Sequence, residues 1–261
     1  ELLAADVGQG SAVLVRTARH SLLYDAGPRY SEDSDAGQRV LAPLLRALGE
    51  RLDTLVLSHR DTDHTGGAAA VLAQQPRAEL ITSIEPGRVL QGLPAGAPCL
   101  AGQGWQWDGV RFDVLHPDAA QAAAARRSNA MSCVVRVSTP QASALLTGDI
   151  EAAQEQALLA AGAPLRSTVL LVPHHGSRTS SSAVFIDAVQ PRLALIQAGY
   201  RNRFHHPAPP VLARYAERGV PVRASPACGA MRWSSARPDE LACQRDSAAR
   251  YWHHRVPSAA P

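Results

Sequence analysis

The sequence predicts an α/β protein, a sandwich of β-sheets flanked by helices, and three features of its 261 residues carry that prediction. Short apolar or alternating runs open the chain. A β-rich stretch followed by alternating strands and helices occurs twice. Several strands stop at a polar residue beside a glycine, the pattern of an element that delivers a side chain to one end of a sheet. A hydrophobic content of 46% is enough to bury the core of one domain.

The elements follow in order. Leu2–Val7, Ala12–Thr17 and His20–Tyr24 read as a meander of strands separated by Gly8-Gln9-Gly10 and Ala18-Arg19. In Gly37–Leu48 the apolar positions Val40, Leu41, Leu44, Leu45 and Leu48 have helical spacing, ended by Gly49. Thr54–Leu57 reads as a buried strand, and a helix follows Gly66-Gly67. Strands are then expected near Leu80–Ile81, Val110–Leu115, Cys133–Val137 and Ser143–Leu146, with a helix over Glu151–Ala161. Val169–Val172, helix Ala183–Val189, strand Leu193–Ile196 and helix Pro209–Arg218 complete the second alternation. Gln91–Gly104 reads as a loop, as does Ala119–Arg127, whose alanines also allow a short helix. Periodicity fades from about Ser235, so the sequence divides into a domain over 1–235 and a tail over 236–261, with Val256–Pro261 expected to be disordered and His253-His254 to be solvated surface.

No apolar run reaches the roughly 18 to 20 residues of a membrane span, and the start lacks the basic-then-apolar order of a signal peptide. Because the chain opens at Glu1 directly in a strand-like run, it reads as a piece of a longer or processed protein. Cys99, Cys133, Cys228 and Cys243 show no CxxC spacing, which argues against a zinc ribbon or a thioredoxin-type site. Cys228 and Cys243 pair if the compartment is oxidising, and otherwise remain thiols. All 26 basic residues are arginine, and they are unevenly opposed: 13 against 18 carboxylates up to residue 165, then 13 against 5 from residue 166. The acidic part suits cations and the basic part suits a polyanion.

The strongest local signal is Ser58-His59-Arg60-Asp61-Thr62-Asp63-His64-Thr65-Gly66-Gly67, between an apolar strand and a helix. Four ligand-type side chains fall in six positions. His59 and Asp61, two apart on an extended segment, point the same way, and Asp63 and His64 follow where the chain turns into the helix. One loop can thus feed two adjacent ions, whereas a polar turn needs only a single short capping residue. Asp25, Asp149 and the pair His174-His175 lie at further strand ends of the same kind.

Together these residues resemble the motif set of the metallo-β-lactamase superfamily, which implies an αβ/βα sandwich with two mixed β-sheets flanked by helices. By that resemblance Asp25 orients the loop, His59 and Asp61 bind one divalent ion, Asp63 and His64 bind a second, and Asp149 bridges them. One histidine of His174 and His175 completes the second site. Two departures from the family pattern stand out. Asp61 replaces the second histidine of HxHxDH, and the histidine expected before Asp149 has no clear match; Asn129 occupies that region, and His116 is the other candidate. A first site poor in nitrogen suits Mn²⁺ better than Zn²⁺.

HxDxDH, LLTGD, PHHGSRTSS and Asn202-Arg203-Phe204-His205-His206-Pro207, with Gly8-Gln9-Gly10 near the start and Gly229-Ala230 near the close, are similar to the C-terminal domain of the competence DNA-uptake channel family ComEC. That resemblance implies a metal-dependent nuclease acting on DNA, attached as a soluble domain to the membrane channel portion of the same polypeptide. It would lie on the periplasmic or extracellular face of the inner membrane. Two ions would lower the pKa of a shared water and neutralise phosphate charge, with Asp63 positioning that water or taking its proton. His206 would donate a proton to the leaving oxygen or hold a phosphate, and Asn129, Ser177 and Arg178 would contact substrate. No small organic cofactor is expected. A small-molecule phosphodiesterase similar to phosphorylcholine esterase would share the metal cradle but enclose its substrate, and a non-catalytic DNA-binding module would keep the fold without the metals.

Overall fold

The computed structural model describes residues 1–84, 93–124 and 127–250; the expectations for Gln91, His253-His254 and Val256–Pro261 lie outside the described residues. Two sheets face each other. In the first the strand order is Arg237–Cys243, Met231–Ser234, Leu2–Ala4, Val13–Arg16, Ser21–Tyr24, Thr54–Leu57, Glu79–Thr82, Ala97–Pro98. In the second it is Val222–Ala224, Leu193–Ile196, Val169–Leu171, Ser143–Leu146, Val134–Ser138, Val110–His116, Gly104–Trp107. Each sheet is antiparallel on one side and parallel on the other, the parallel pairings beginning at Ser21–Tyr24 with Thr54–Leu57 and at Ser143–Leu146 with Val169–Leu171. The twofold β-then-αβ order of the sequence is this duplication.

Period-2 alternation sorts the strand residues into three cores. Leu22, Tyr24 and Val56 of the first sheet meet Val135, Leu146 and Leu171 of the second between the sheets. Their alternates Leu23, Leu55 and Leu57 turn outward beneath helices Ala42–Leu48 and Ala68–Gln74. Leu145, Leu170 and Ile196 turn outward on the other side beneath Ala152–Ala160, Ala183–Val189 and Pro209–Ala216. Parallel strands buried on both faces must be apolar throughout, which is why Thr54–Leu57 and Val169–Leu171 read as continuous runs.

The structure departs from the sequence expectation in three places. Gly37–Leu48 is a single turn of π-helix, Gly37–Leu41, running into the α-helix. The expected loop Gln91–Gly104 carries a two-residue strand, Ala97–Pro98, whereas Ala119–Ala124 takes the short helix that its alanines allowed. Regular structure also continues past Ser235: Arg237–Cys243 pairs with Met231–Ser234 at the sheet edge, and a short helix, Gln244–Ser247, follows. An edge strand with mostly exposed side chains has no apolar pattern to read. Two disulfides hold the fold, Cys228–Cys243 at this edge and Cys99–Cys133 between the sheets, a pairing the spacing did not suggest.

Candidate metal centre

The chemistry-bearing residues meet at the C-terminal ends of the parallel strands, where open α/β sheets place their sites. Asp25 ends Ser21–Tyr24, His59 to His64 follow Thr54–Leu57, Asp149 follows Ser143–Leu146, and His174-His175 follow Val169–Leu171. Close backbone approach brings these ends together. A Cβ on Gly10 would collide with the Asp63 carbonyl, and one on Gly148 would press on Ser58 and Ser132 at 3.0 and 3.1 Å. Asp25, His174 and His175 all have positive φ, 60°, 51° and 54°, a conformation side chains adopt at a cost and that clusters at functional sites.

Asp149 divides the cluster. Its Oδ1 lies 3.1 Å from His64 Nε2 and 3.6 Å from His175 Nε2; Asp63 Oδ2 is 3.4 Å from the same His175 nitrogen. These four residues form one cradle, their ligand atoms all within 4.8 Å of one another. The other oxygen, Oδ2, lies 3.6 Å from His174 Nε2 and 3.9 Å from His59 Nε2, and Asp61 Oδ2 is 3.6 Å from that His59 nitrogen. His174 and His175 are therefore not alternatives for one position. Consecutive left-handed residues aim their rings to opposite sides of Asp149, His175 toward the oxygen that faces His64 and His174 toward the oxygen that faces His59. Each half of the cluster offers two imidazoles and two carboxylates, with Asp149 common to both.

The hydrogen bonds fix every ring in the same sense. His64 Nδ1 donates to Asp25 Oδ2 at 2.7 Å, and His175 Nδ1 donates to the Gln197 carbonyl at 2.7 Å. The Ser58 hydroxyl donates to Asp25 at 2.9 Å and so accepts from His59 Nδ1 at 2.9 Å. The Thr179 hydroxyl donates to Glu151 at 2.9 Å and so accepts from His174 Nδ1 at 3.2 Å. With each Nδ1 so engaged, all four Nε2 atoms are turned toward Asp149. His64 and His175 bring their Nε2 atoms to 3.2 Å, and His59 Nε2 is buried without a hydrogen-bond partner. Imidazole nitrogens and carboxylate oxygens converging in a buried space are the donor set of divalent cations.

The electrostatics agree. Burial pulls His64 and His175 down, but the carboxylates around them, Asp149 with Asp25 for His64 and Asp149 with Asp63 for His175, together carry both above the usual histidine range, His64 well above. Burial would raise Asp149 and Asp63, yet the neighbouring histidines hold Asp149 well below the carboxylate range and Asp63 at about 2. The cluster holds its anions ionised and draws positive charge to them.

Other predicted residues stand differently. His116 is buried with Nδ1 2.8 Å from the Ser132 carbonyl, and it supports backbone rather than the cluster; the Ser132 hydroxyl in turn accepts the Asp149 amide at 3.0 Å. Asn129 is half-buried on the 3₁₀ turn Asn129–Met131. Ser177 is buried and bonded to Thr179, and Arg178 is exposed on the turn after the histidines. His206 packs edge-on against His174, ring centroids 5.7 Å apart, and burial together with the charges of His174 and His175 lowers it to about 4. The basic residues do not all converge here. Arg192, Arg223, Arg232 and Arg237 line an open cleft of about 830 Å³ at the opposite end of the sandwich.

Sequence reasoning missed Ser58, Glu151 and Gln197. Gln197 also ties the two sheets together: its buried amide donates to Ala5 and Ala12 carbonyls and accepts from Ser11 and Ala12. Only its place one residue past the strand Leu193–Ile196 hinted at a role.

The family model of the metallo-beta-lactamase superfamily matches residues 5–119. Competence protein ComA of Neisseria gonorrhoeae is 40% identical over 237 residues, 89% of this chain and 32% of that protein. Recombination protein 2 of Haemophilus influenzae is 39% identical over 209 residues, 80% of this chain and 25% of that protein. The chain thus spans a third or less of the curated relatives it matches. Among solved structures, the metallo-beta-lactamase fold protein YhfI of Bacillus subtilis superposes with a TM-score of 0.52 at 13% identity, covering 86% of this chain and 96% of that one, a likeness of fold. The chain belongs to the metallo-β-lactamase superfamily and is homologous, over most of its length, to one part of ComEC-type competence proteins.

Proposed function

We propose that the chain is a metal-dependent nuclease that hydrolyses DNA phosphodiesters at a dinuclear centre, as a domain of a longer DNA-uptake protein. The observation that carries this reading is the compact cradle of Asp63, His64, Asp149 and His175, with His59, Asp61 and His174 set more loosely around the other oxygen of Asp149. Two ions held there would supply an activated water and neutralise charge growing on the phosphate oxygens. The protein's own groups do the rest. Asp25, Ser58, Gln197 and Thr179 lock the histidine tautomers, so no ring reorganises during the reaction. Asp63, ionised and partly open to solvent, would orient the water or accept its proton. A neutral His206 beside His174 suits a hydrogen bond to a phosphate oxygen better than delivery of a proton to a leaving group. Arg178 stands exposed where a backbone phosphate can meet it.

The words competence and recombination in the relatives' names support DNA as the substrate, and the membrane channel portion of the polypeptide is what the resemblance implies. Two disulfides support an oxidising location such as the periplasmic or outer face of the inner membrane. The carboxylates of Asp61, Asp63 and Asp149 support Mn²⁺, the metal the sequence favours, while the four imidazoles set against them narrow its margin over zinc.

The test is cleavage of end-labelled DNA by metal-stripped protein titrated separately with Mn²⁺, Mg²⁺ and Zn²⁺. Activity should return with manganese and be absent in Asp63→Ala, which should stay folded by circular dichroism. Full activity in that variant would refute the site, and strongest turnover with zinc would refute the metal preference.

A further inference from the structure

Among the described residues five large apolar or aromatic side chains are exposed, Tyr30 at 44%, Val184 at 62%, Tyr200 at 41%, Phe204 at 48% and Leu212 at 37%. The three aromatic ones all border the metal centre. Tyr30 sits on a hairpin, bonded to the Val7 carbonyl at 3.0 Å, and a Cβ on Gly66, just after the ligand helix Thr62–Thr65, would collide with the Arg29 amide beside it. Tyr200 and Phe204 belong to the loop that ends at His206.

That loop is built rigidly. Asn202 spans it, its amide donating to the Gly199 and His206 carbonyls at 2.9 and 2.6 Å while its oxygen accepts the His206 amide at 3.0 Å. One end is fixed by the Gly199 amide on Gln9 at 3.0 Å and the other by the Ala208 amide on the Gly176 carbonyl at 2.9 Å, immediately after the metal-ligand histidines. On this frame the rings run in series. The Arg203 guanidinium lies 4.8 Å from the Phe204 centroid, Phe204 stacks on His206 at 5.7 Å, and His206 meets His174 at 5.7 Å. The Arg201 guanidinium lies 5.2 Å from the Tyr200 ring. From Gly199 to Ala208 there is no carboxylate.

The exposed part of the Phe204 ring, already in series with Arg203 and His206 beside the metal centre, can take a further planar group. Unpaired bases stack on both aromatic rings and guanidinium planes, whereas an intact duplex keeps its base faces inside the helix. The charges match as well, since two arginines on a loop without acids fit a phosphate backbone threaded past the rings. We propose that the 199–207 loop is a stacking platform for unpaired bases, so that the strand presented to the metal centre is single-stranded nucleic acid. This rests on the phosphodiesterase reading for what happens next, but the binding itself does not.

The experiment measures binding by metal-stripped protein, where nothing is cleaved. The ligands are a short labelled single strand, its duplex, and a strand of equal length whose bases are replaced by abasic units. Phe204→Ala should weaken the single strand about 5- to 100-fold, leave the duplex and the abasic strand unchanged, and be rescued by Phe204→Trp. Equal losses on all three ligands, or no loss on the single strand, would overturn the platform; in the second case the exposed rings would serve a protein partner instead. If base-dependent binding holds but metal-loaded protein cleaves no DNA, the platform stands and the nuclease reading falls.

Discussion

Replacing Asp25 with asparagine tests how far the metal centre depends on a residue that cannot touch the ions. The carboxylate is fully buried and receives three donors: the Ser58 amide at 2.7 Å, the Ser58 hydroxyl at 2.9 Å and His64 Nδ1 at 2.7 Å. An amide of the same shape has one oxygen. Whichever way it turns, at least one donor faces an NH₂ group, and a buried unsatisfied donor costs about 1–3 kcal/mol. If the NH₂ faces His64, the ring escapes the clash by moving its proton to Nε2, which removes a ligand from the cradle with Asp63, Asp149 and His175. Loss of such an orienting partner costs about 10- to 100-fold in metal affinity. The assay is a competition titration against a chelator, with thermal melting of the metal-stripped protein alongside. Asp25→Asn should show both losses. Metal affinity within threefold of wild type would refute the argument that Asp25 sets the His64 tautomer.

Further outcomes follow from the same geometry. His174→Ala and His175→Ala should each bind one equivalent of metal instead of two, read by elemental analysis of the purified protein; two equivalents in His174→Ala would return that ring to a bystander role. Glu155, buried beneath the Ser181 and Ser182 amides, has a carboxyl that burial raises from 4.5. A raised folded value means that its contribution is present below the unfolded pKa and lost as pH rises through the folded one. The melting temperature of Glu155→Gln relative to wild type should therefore climb between about pH 4.5 and neutrality, and a flat or falling difference would contradict the shift. The disulfides close separations of 34 residues, Cys99–Cys133, and 15 residues, Cys228–Cys243, so chain entropy predicts losses of about 4 and about 3 kcal/mol on their removal. Cys99→Ser/Cys133→Ser should also weaken metal binding, because the Cys133 amide holds the Ser58 carbonyl at 2.8 Å; the edge pair should not.

Most of this architecture could be read from the sequence because burial imposes periodicity. Thr54–Leu57, Ser143–Leu146, Ala183–Val189 and Leu193–Ile196 have the predicted limits, since each is apolar on the faces it buries. Arg237–Cys243 escaped because an edge strand buries little and needs no pattern. The ligand residues were legible as residue types at strand ends, but their distribution was not. Two adjacent histidines look redundant in one dimension, and only a left-handed backbone at both sends them to different sides of Asp149. The supporting residues were less visible still. Gln197 holds His175 through its backbone carbonyl, a group every residue has, so nothing in its side chain announces the role.

The duplication of the fold has a consequence for the lifetime of the protein. His59, Asp61, Asp63 and His64 come from the first sheet, whereas Asp149, His174 and His175 come from the second, so neither half owns a complete cradle. An ion bound there is a cross-link between two halves joined otherwise by an apolar interface, Gln197, Cys99–Cys133 and a few hydrogen bonds. Free metal at a hundred times its dissociation constant would add about 2.7 kcal/mol to the folded state per site. Chelation would then do more than silence the chemistry. It would take that margin from the join between the halves while leaving them folded together, and susceptibility to proteases would track the metal supply of the compartment in which the protein works.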